Sequence, residues 1–140
     1  MISAYLNYPG NCREAFDFYQ SIIGGELQIM TFAEMPMEGM EVSEKDKDKT
    51  VHACLTLEDG SNIMASDHLE GFGPDLKVGN NFSLYFPAKS RSDADRVYKA
   101  LSQGGRELMP MNDVPWGAYF GMLTDKFDIQ WMISFAEGEQ

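Results

Sequence analysis

Apolar and polar residues alternate over residues 3–8, and Tyr8 is followed by Pro9-Gly10, so the chain opens on a predicted strand. Cys12, Ala15, Phe16, Tyr19, Ile22 and Ile23 then fall at helical spacing, which predicts a helix with one apolar face. Asn11 stands at its start with Glu14 three residues on, the spacing of a capping box. Gly24-Gly25 ends it, because glycine tolerates the left-handed backbone of a helix terminus. Residues 27–33 read as a second strand. Residues 51–57 read as a third, with Val51, Ala53, Leu55 and Leu57 on one face and His52, Cys54 and Thr56 on the other. Asp59-Gly60 is a hairpin signal, and residues 62–67 form the partner strand.

The pattern then repeats. Phe82, Leu84 and Phe86 alternate with Ser83 and Tyr85, predicting a strand. Ala94, Val97, Tyr98 and Leu101 predict a helix, and Gly104-Gly105 stops it. Strands follow over 106–111, 118–123 and 129–134, the last two joined by the turn 124–128; the tail from Ala136 is expected to fray. The words themselves recur: Tyr19-Gln20-Ser21-Ile22-Ile23-Gly24-Gly25-Glu26-Leu27 is echoed by Tyr98-Lys99-Ala100-Leu101-Ser102-Gln103-Gly104-Gly105-Arg106-Glu107-Leu108. The expected fold is therefore α+β: two tandem βαβββ modules, near 1–68 and 80–135, forming a curved mixed sheet or half-barrel around a cavity within one domain spanning 1–140. Residues 68–80 join the modules. Residues 35–49 hold Pro36, Gly39, mixed charges and few large apolar residues besides methionine, and read as a mobile loop.

Composition narrows the function classes. The 140 residues, 44% hydrophobic and 24% charged, are those of a globular domain large enough for a core. A net charge of −11 argues against nucleic-acid phosphates and against anionic membrane surfaces. No apolar run nears the ~18 residues of a bilayer span. The N-terminus lacks the basic region of a signal peptide, so a cytoplasmic protein is expected. Two cysteines, Cys12 and Cys54, are too few for a disulfide framework and read as free thiols of a reducing compartment.

Several stretches together resemble the vicinal oxygen chelate (glyoxalase/bleomycin-resistance/dioxygenase) superfamily, and within it the PhnB-like branch. They are Tyr5-Leu6-Asn7-Tyr8 followed by Ala15-Phe16-Asp17-Phe18-Tyr19, Gly24-Gly25-Glu26-Leu27, Met30-Thr31-Phe32-Ala33-Glu34-Met35-Pro36, His52-Ala53 and Met64-Ala65-Ser66-Asp67. Trp116-Gly117-Ala118-Tyr119-Phe120-Gly121, Thr124-Asp125-Lys126-Phe127 and Trp131-Met132 complete them. The resemblance implies a His on the first strand and a Glu on the last strand of each module, together holding a divalent metal. Those positions fall near Ser3 and Asn81 and near Met64 and Met132, with Tyr5, Ser66, Ser83 and Gln130 as same-face neighbours. None is a usual ligand for zinc, iron, manganese or nickel, so no cofactor is expected at the family position.

The candidate chemistry lies elsewhere. His52, on the strand face opposite Ala53 and Leu55, is the best general base or ligand, and Glu34 is its candidate carboxylate partner, raised in pKa if buried. Tyr5, Asn7, Ser66, Asp67, Tyr85, Trp116, Phe120 and Trp131 are candidate ligand-binding residues, the aromatics as apolar walls. His68 is a weaker candidate, because adjacent strand residues such as Asp67 point to the other face. Met30, Met35, Met37 and Met40 suit an adaptable lid. Neither glycine pair starts a helix, so neither can cradle phosphate, and no glycine-rich strand-to-helix loop for a methyl donor is present. Two readings stay open: a metal-free small-molecule-binding protein, and an enzyme acting on a small oxygenated metabolite through His52 with Glu34 or Asp67, with or without a divalent metal in a non-standard place. A homodimer is expected in either case, since half-barrels leave apolar surface to cover.

Overall fold

The computed structural model describes residues 1–137. The chain divides into two compact units, Met1–Lys77 and Val78–Gln140. In the first unit, β1 (Ala4–Tyr8) leads to α1 (Cys12–Ile23), then to β2 (Glu26–Thr31), β3 (Thr50–Thr56) and β4 (Asn62–Asp67). These strands form a four-stranded mixed sheet in the order β1-β4-β3-β2. In the second unit, β5 (Leu84–Pro87) leads to α2 (Arg91–Ser102), β6 (Arg106–Val114), β7 (Ala118–Thr124) and β8 (Gln130–Phe135), in the order β5-β8-β7-β6. The pair β1–β4 is parallel and so is β5–β8, while all other pairings are antiparallel. The repeated words thus encode a repeated topology, and the α+β class with βαβββ order agrees with the sequence reading.

Each helix covers one face of its own sheet. On α1, Cys12, Ala15, Phe16, Tyr19 and Ile22 are buried, against Leu6, Tyr8, Ala53, Leu55 and Ala65. Burying a side chain such as Phe16 stabilises the unit by roughly 1.5–3 kcal/mol. Tyr8 meets Phe16 edge-on and its hydroxyl donates to the Tyr19 hydroxyl oxygen at 3.0 Å, so neither buried hydroxyl is stranded. On α2, Ala94, Val97, Tyr98 and Leu101 are buried against Leu123, Trp131 and Ile133. Tyr98 Oη lies 2.9 Å from the Met109 carbonyl and 3.1 Å from that of Met122, where the β6–β7 register is irregular.

The two glycines of each pair do different work. Gly24 (φ 74°) and Gly104 (φ 76°) take the left-handed backbone that turns the chain out of the helix. Gly25 and Gly105 lie directly against the ends of β3 and β7. A Cβ on Gly25 would come 2.6 Å from the Thr56 carbonyl oxygen, and one on Gly105 would collide with that of Thr124.

Three local expectations are corrected. Asn11 precedes α1, but its side chain makes no capping hydrogen bond, and its Oδ1 is buried without a partner. The cap comes from the neighbouring strand β4 instead: Asp67 Oδ1 accepts from the Cys12 amide and Oδ2 from the Thr50 amide, both at 2.9 Å. The side chain that caps locally belongs to α2, where Ser90 Oγ accepts from the Asp93 amide and Asp93 accepts from the Lys89 amide. Phe82 lies outside β5, which starts at Leu84 where pairing with Trp131 begins. Finally, β6 runs on to Val114; it is an edge strand, where Pro110 removes no ladder hydrogen bond. Residues 32–49 include one turn of 3-10 helix (Glu44–Asp46), and the Phe32 and Ala33 amides tie the segment's start to the Lys49 and Lys47 carbonyls. The last three residues of the tail expected to fray lie outside the described residues.

Candidate functional site

Strand alternation leaves one face of each sheet turned away from its helix. In the first unit the pairings set that face out in rows across the four strands. Tyr5, Met64, Cys54 and Gln28 make one row. One step further along, Asn7 pairs with Ser66 and His52 with Met30; continuing the β3–β4 register past Ala53 and Ala65 brings His52 beside Ser66. A third row holds Asn62, Thr56 and Glu26. Apart from the two methionines, every member carries a polar atom.

The contact that organises this face is between strands that do not pair. Tyr5 Oη on β1 lies 3.2 Å from His52 Nδ1 on β3, reaching over β4. The rings are 5.8 Å apart and inclined by 32°. Cys54 Sγ, two residues along from His52, lies 3.6 Å from Thr56 Oγ1. Among the described residues, neither His52 Nε2 nor the Ser66 hydroxyl nor the Asn7 amide has a protein partner.

Other expected site residues lie elsewhere. Glu34 is exposed and belongs to its own turn: Oε1 accepts from the Thr31 amide at 2.9 Å and from the Thr31 hydroxyl at 3.0 Å. These bonds, the amide's first, hold its carboxyl below the ordinary range, the reverse of the rise expected for a buried acid. The structure does not join it to His52. Asp67 is buried, with both oxygens committed to backbone amides. The His68 amide donates to the Tyr8 carbonyl, extending the β1–β4 edge. Cys12 is fully buried at the helix start; burial first, and the Asp67 charge second, push its thiol up to about 12. Near the loop expected as a lid, Phe32, Ala33, Pro36, Met40, Val42 and Lys47 line a crevice of 280 Å³.

In the second unit the equivalent face carries more aromatic and methionine side chains. Its rows are Tyr85, Met132, Met122 and Met109; Pro87, Ser134, Phe120 and Asn112; and Gln130, Thr124 and Arg106. Phe120 stands where the first unit has His52. Trp116, at the tip of the β6–β7 hairpin, is 70% exposed and packs edge-on against Phe120 at 5.8 Å. Trp131 is on the opposite side of the sheet, 3% exposed, with its indole donating to Asp125 Oδ2 at 2.9 Å. It is a core residue because it pairs with Leu84 and Leu123 on the helix-facing side.

The strand positions that would hold the family's metal carry Met64 and Met132, flanked by Tyr5, Ser66 and Gln130, and Ser3 and Asn81 precede their strands. Thioether, amide and hydroxyl groups do not fit a zinc, manganese, iron or nickel centre. Among the described residues no group of three or more His, Cys, Asp and Glu is placed to hold a metal ion.

Residues 1–134 match the family model described as 3-demethylubiquinone-9 3-methyltransferase. The chain belongs to this PhnB-like family. It is 30% identical over 142 residues to Protein YjdN of Escherichia coli (strain K12), covering 95% of this chain and 93% of that one. The crystal structure of PA1353 from Pseudomonas aeruginosa is similar over 97% of both chains, with 35% identity and a TM-score of 0.86. The PhnB protein from Bacillus cereus is similar over 96% of this chain and 98% of its own, with 26% identity and a TM-score of 0.73. Glyoxalase/bleomycin resistance/dioxygenase proteins at 14–20% identity, with TM-scores of 0.57–0.62, share the fold.

Proposed function

We propose that this family member binds a small polar molecule, without the paired metal of its superfamily, against the open face of the β1-β4-β3-β2 sheet. The observation that carries this reading is the Tyr5–His52 hydrogen bond, standing among the unpartnered polar groups of Asn7 and Ser66. A small-molecule site needs a few placed polar groups on an apolar ground. Met30 and Met64 supply that ground, and methionine adapts to irregular ligands. On the second unit Trp116 packs against Phe120, and Tyr85 lies beside Met132, contacts suited to apolar rather than polar recognition. Methyl transfer, which the family description names, is outside this reading. Each strand-to-helix connection is a short segment, 9–11 or 88–90, whereas a methyl donor calls for a glycine-rich loop. A homodimer and a cytoplasmic location belong to the same proposal, the first checked by sedimentation of the untagged protein.

The test is a thermal-shift screen of small metabolites with and without a chelator, run on the native chain and on His52→Ala. A ligand that raises the melting temperature regardless of chelator, and does so only with His52 in place, is expected. Stoichiometric bound metal, or ligands indifferent to His52, would contradict the reading.

The same bond supports a second reading, in which the Tyr5–His52 pair moves a proton on a bound oxygenated substrate. Turnover of a screened ligand, lost in both His52→Ala and Tyr5→Phe, would replace the binding role with this catalytic one.

A further inference from the structure

Tyr5 is hydrogen-bonded to one ring nitrogen of His52, and among the described residues the other has no protein partner. A neutral imidazole has one donor nitrogen and one acceptor nitrogen, and the bond at one decides the role of the other. A phenol O–H is a stronger donor than an imidazole N–H, and an imidazole nitrogen is a stronger acceptor than a phenol oxygen. The Tyr5 hydroxyl therefore donates to Nδ1, and Nε2 carries the ring proton. The 3.2 Å contact and the 32° inclination of the rings hold the imidazole in that orientation.

Resting on the binding face proposed above, we infer that Tyr5 is a positioning residue that fixes His52 as an Nε2–H donor, so that the site selects ligands presenting an acceptor oxygen, carbonyl or carboxylate. The neighbours agree with this polarity. Ser66, beside His52, has a hydroxyl proton to offer, and Asn7, paired with Ser66, an amide N–H₂; both also carry an acceptor oxygen, so the fixed polarity of the row is that of His52. Three groups able to donate then lie along one row over β1, β4 and β3, ending at Met30 on β2. No carboxylate stands in that row to compete for them. A ligand donor such as an ammonium would meet Nε2–H head-on, leaving a proton unpaired on each side, which costs more than the absence of one good hydrogen bond.

The experiment is long-range ¹H–¹⁵N correlation of the two histidine rings at about pH 8.5, where an ordinary imidazole is neutral. The His52 signal is assigned by its loss in His52→Gln, which leaves His68 as the other. The native protein is expected to show the Nε2–H tautomer at His52, and Tyr5→Phe a mixture of both, with His68 unchanged. Titration with acetate and with acetamide is then expected to shift the His52 Nε2 resonance, and titration with methylammonium to leave it in place. An Nδ1–H tautomer in the native protein, or no change of tautomer in Tyr5→Phe, would overturn the positioning role. A correct tautomer with methylammonium perturbing Nε2 as much as the oxygen probes would overturn the selectivity. Screened ligands that bind His52→Ala as well as the native chain would remove the binding face itself, an outcome separable from the tautomer measured on the ligand-free protein.

Discussion

The two units share helix, strand order and pairing, and they differ most on the one face that no helix covers. Position for position, Tyr5 matches Tyr85, Met64 matches Met132, Thr56 matches Thr124 and Ser66 matches Ser134. Against this shared background His52 matches Phe120 and Cys54 matches Met122. The packed sides answer to the same physics in both copies: an amphipathic helix needs an apolar sheet face, and the glycine pairs need their carbonyl contacts. The open sides are released from that demand. One carries an oriented histidine among polar groups; the other puts Phe120 and Met122 at the matching positions, with its polar residues Ser134, Asn112, Gln130, Thr124 and Arg106 around them. A duplicated fold thus holds its architecture twice while placing polar recognition chemistry on one copy.

The shared architecture has the largest expected effect when broken. Gly105→Ala drives a methyl into the Thr124 carbonyl, and Gly25→Ala meets Thr56 on a backbone at φ 98°. Each is expected to cost roughly 3–5 kcal/mol, read as a lower denaturant midpoint or as failure to fold. Equal damage in the two copies sharpens the comparison; tolerance of either would show that the repeat is not held by this contact.

Helix capping separates the units next. Asp67→Ala strands the Cys12 and Thr50 amides, and a loss of about 2–4 kcal/mol is expected in chemical denaturation. Ser90→Ala removes a local cap from α2, and about 1 kcal/mol is expected. Equal losses would contradict the assignment of the α1 cap to Asp67.

Alkaline pH tests the two cores separately. Burial, then Asp67, raises the Cys12 thiol from 9.0 to about 12; burial, then Glu107, raises the Tyr98 phenol from 10.0 to about 12. The folded chain keeps these protons where the unfolded chain releases them. Their stabilisation is therefore full below pH 9 and is lost as pH rises toward 12. The decline is at most about 1.4 kcal/mol per pH unit for each group. Cys12→Ser is expected to delay its onset to about pH 10, and Tyr98→Phe to flatten the upper part. Unchanged profiles would show that neither group titrates with unfolding. The smallest stability effect is expected for Tyr5→Phe, under about 1.5 kcal/mol by thermal melting, since that bond lies on a half-exposed face.

Much of the fold was legible because helical and alternating spacings report directly on burial. The faces of α1 and α2, the hairpin at Asp59-Gly60 and the partner strand Asn62–Asp67 were all readable. The cap of α1 was not. Asn11 and Glu14 have the right spacing, but the acceptor is Asp67, 55 residues away, and local spacing carries no information about it. The site was legible only in parts. Tyr5 and His52 were each visible as polar residues on a strand, yet their contact depends on the parallel β1–β4 pairing and spans 47 residues. Glu34 invited pairing with His52 because both are chemically apt; its turn with Thr31 is a shorter-range claim on the same carboxylate. Trp131 belongs to the core for a reason of register, since its strand neighbours Ile133 and Met132 face opposite sides.

The most direct test of the account is a backbone ¹H–¹⁵N titration with the strongest ligand of the metabolite screen. The largest shifts are expected at Tyr5, Asn7, His52 and Ser66, with the matching positions Tyr85, Pro87's neighbours, Phe120 and Ser134 unmoved. Shifts centred on Phe120 and Met132 instead, with His52 silent, would contradict it.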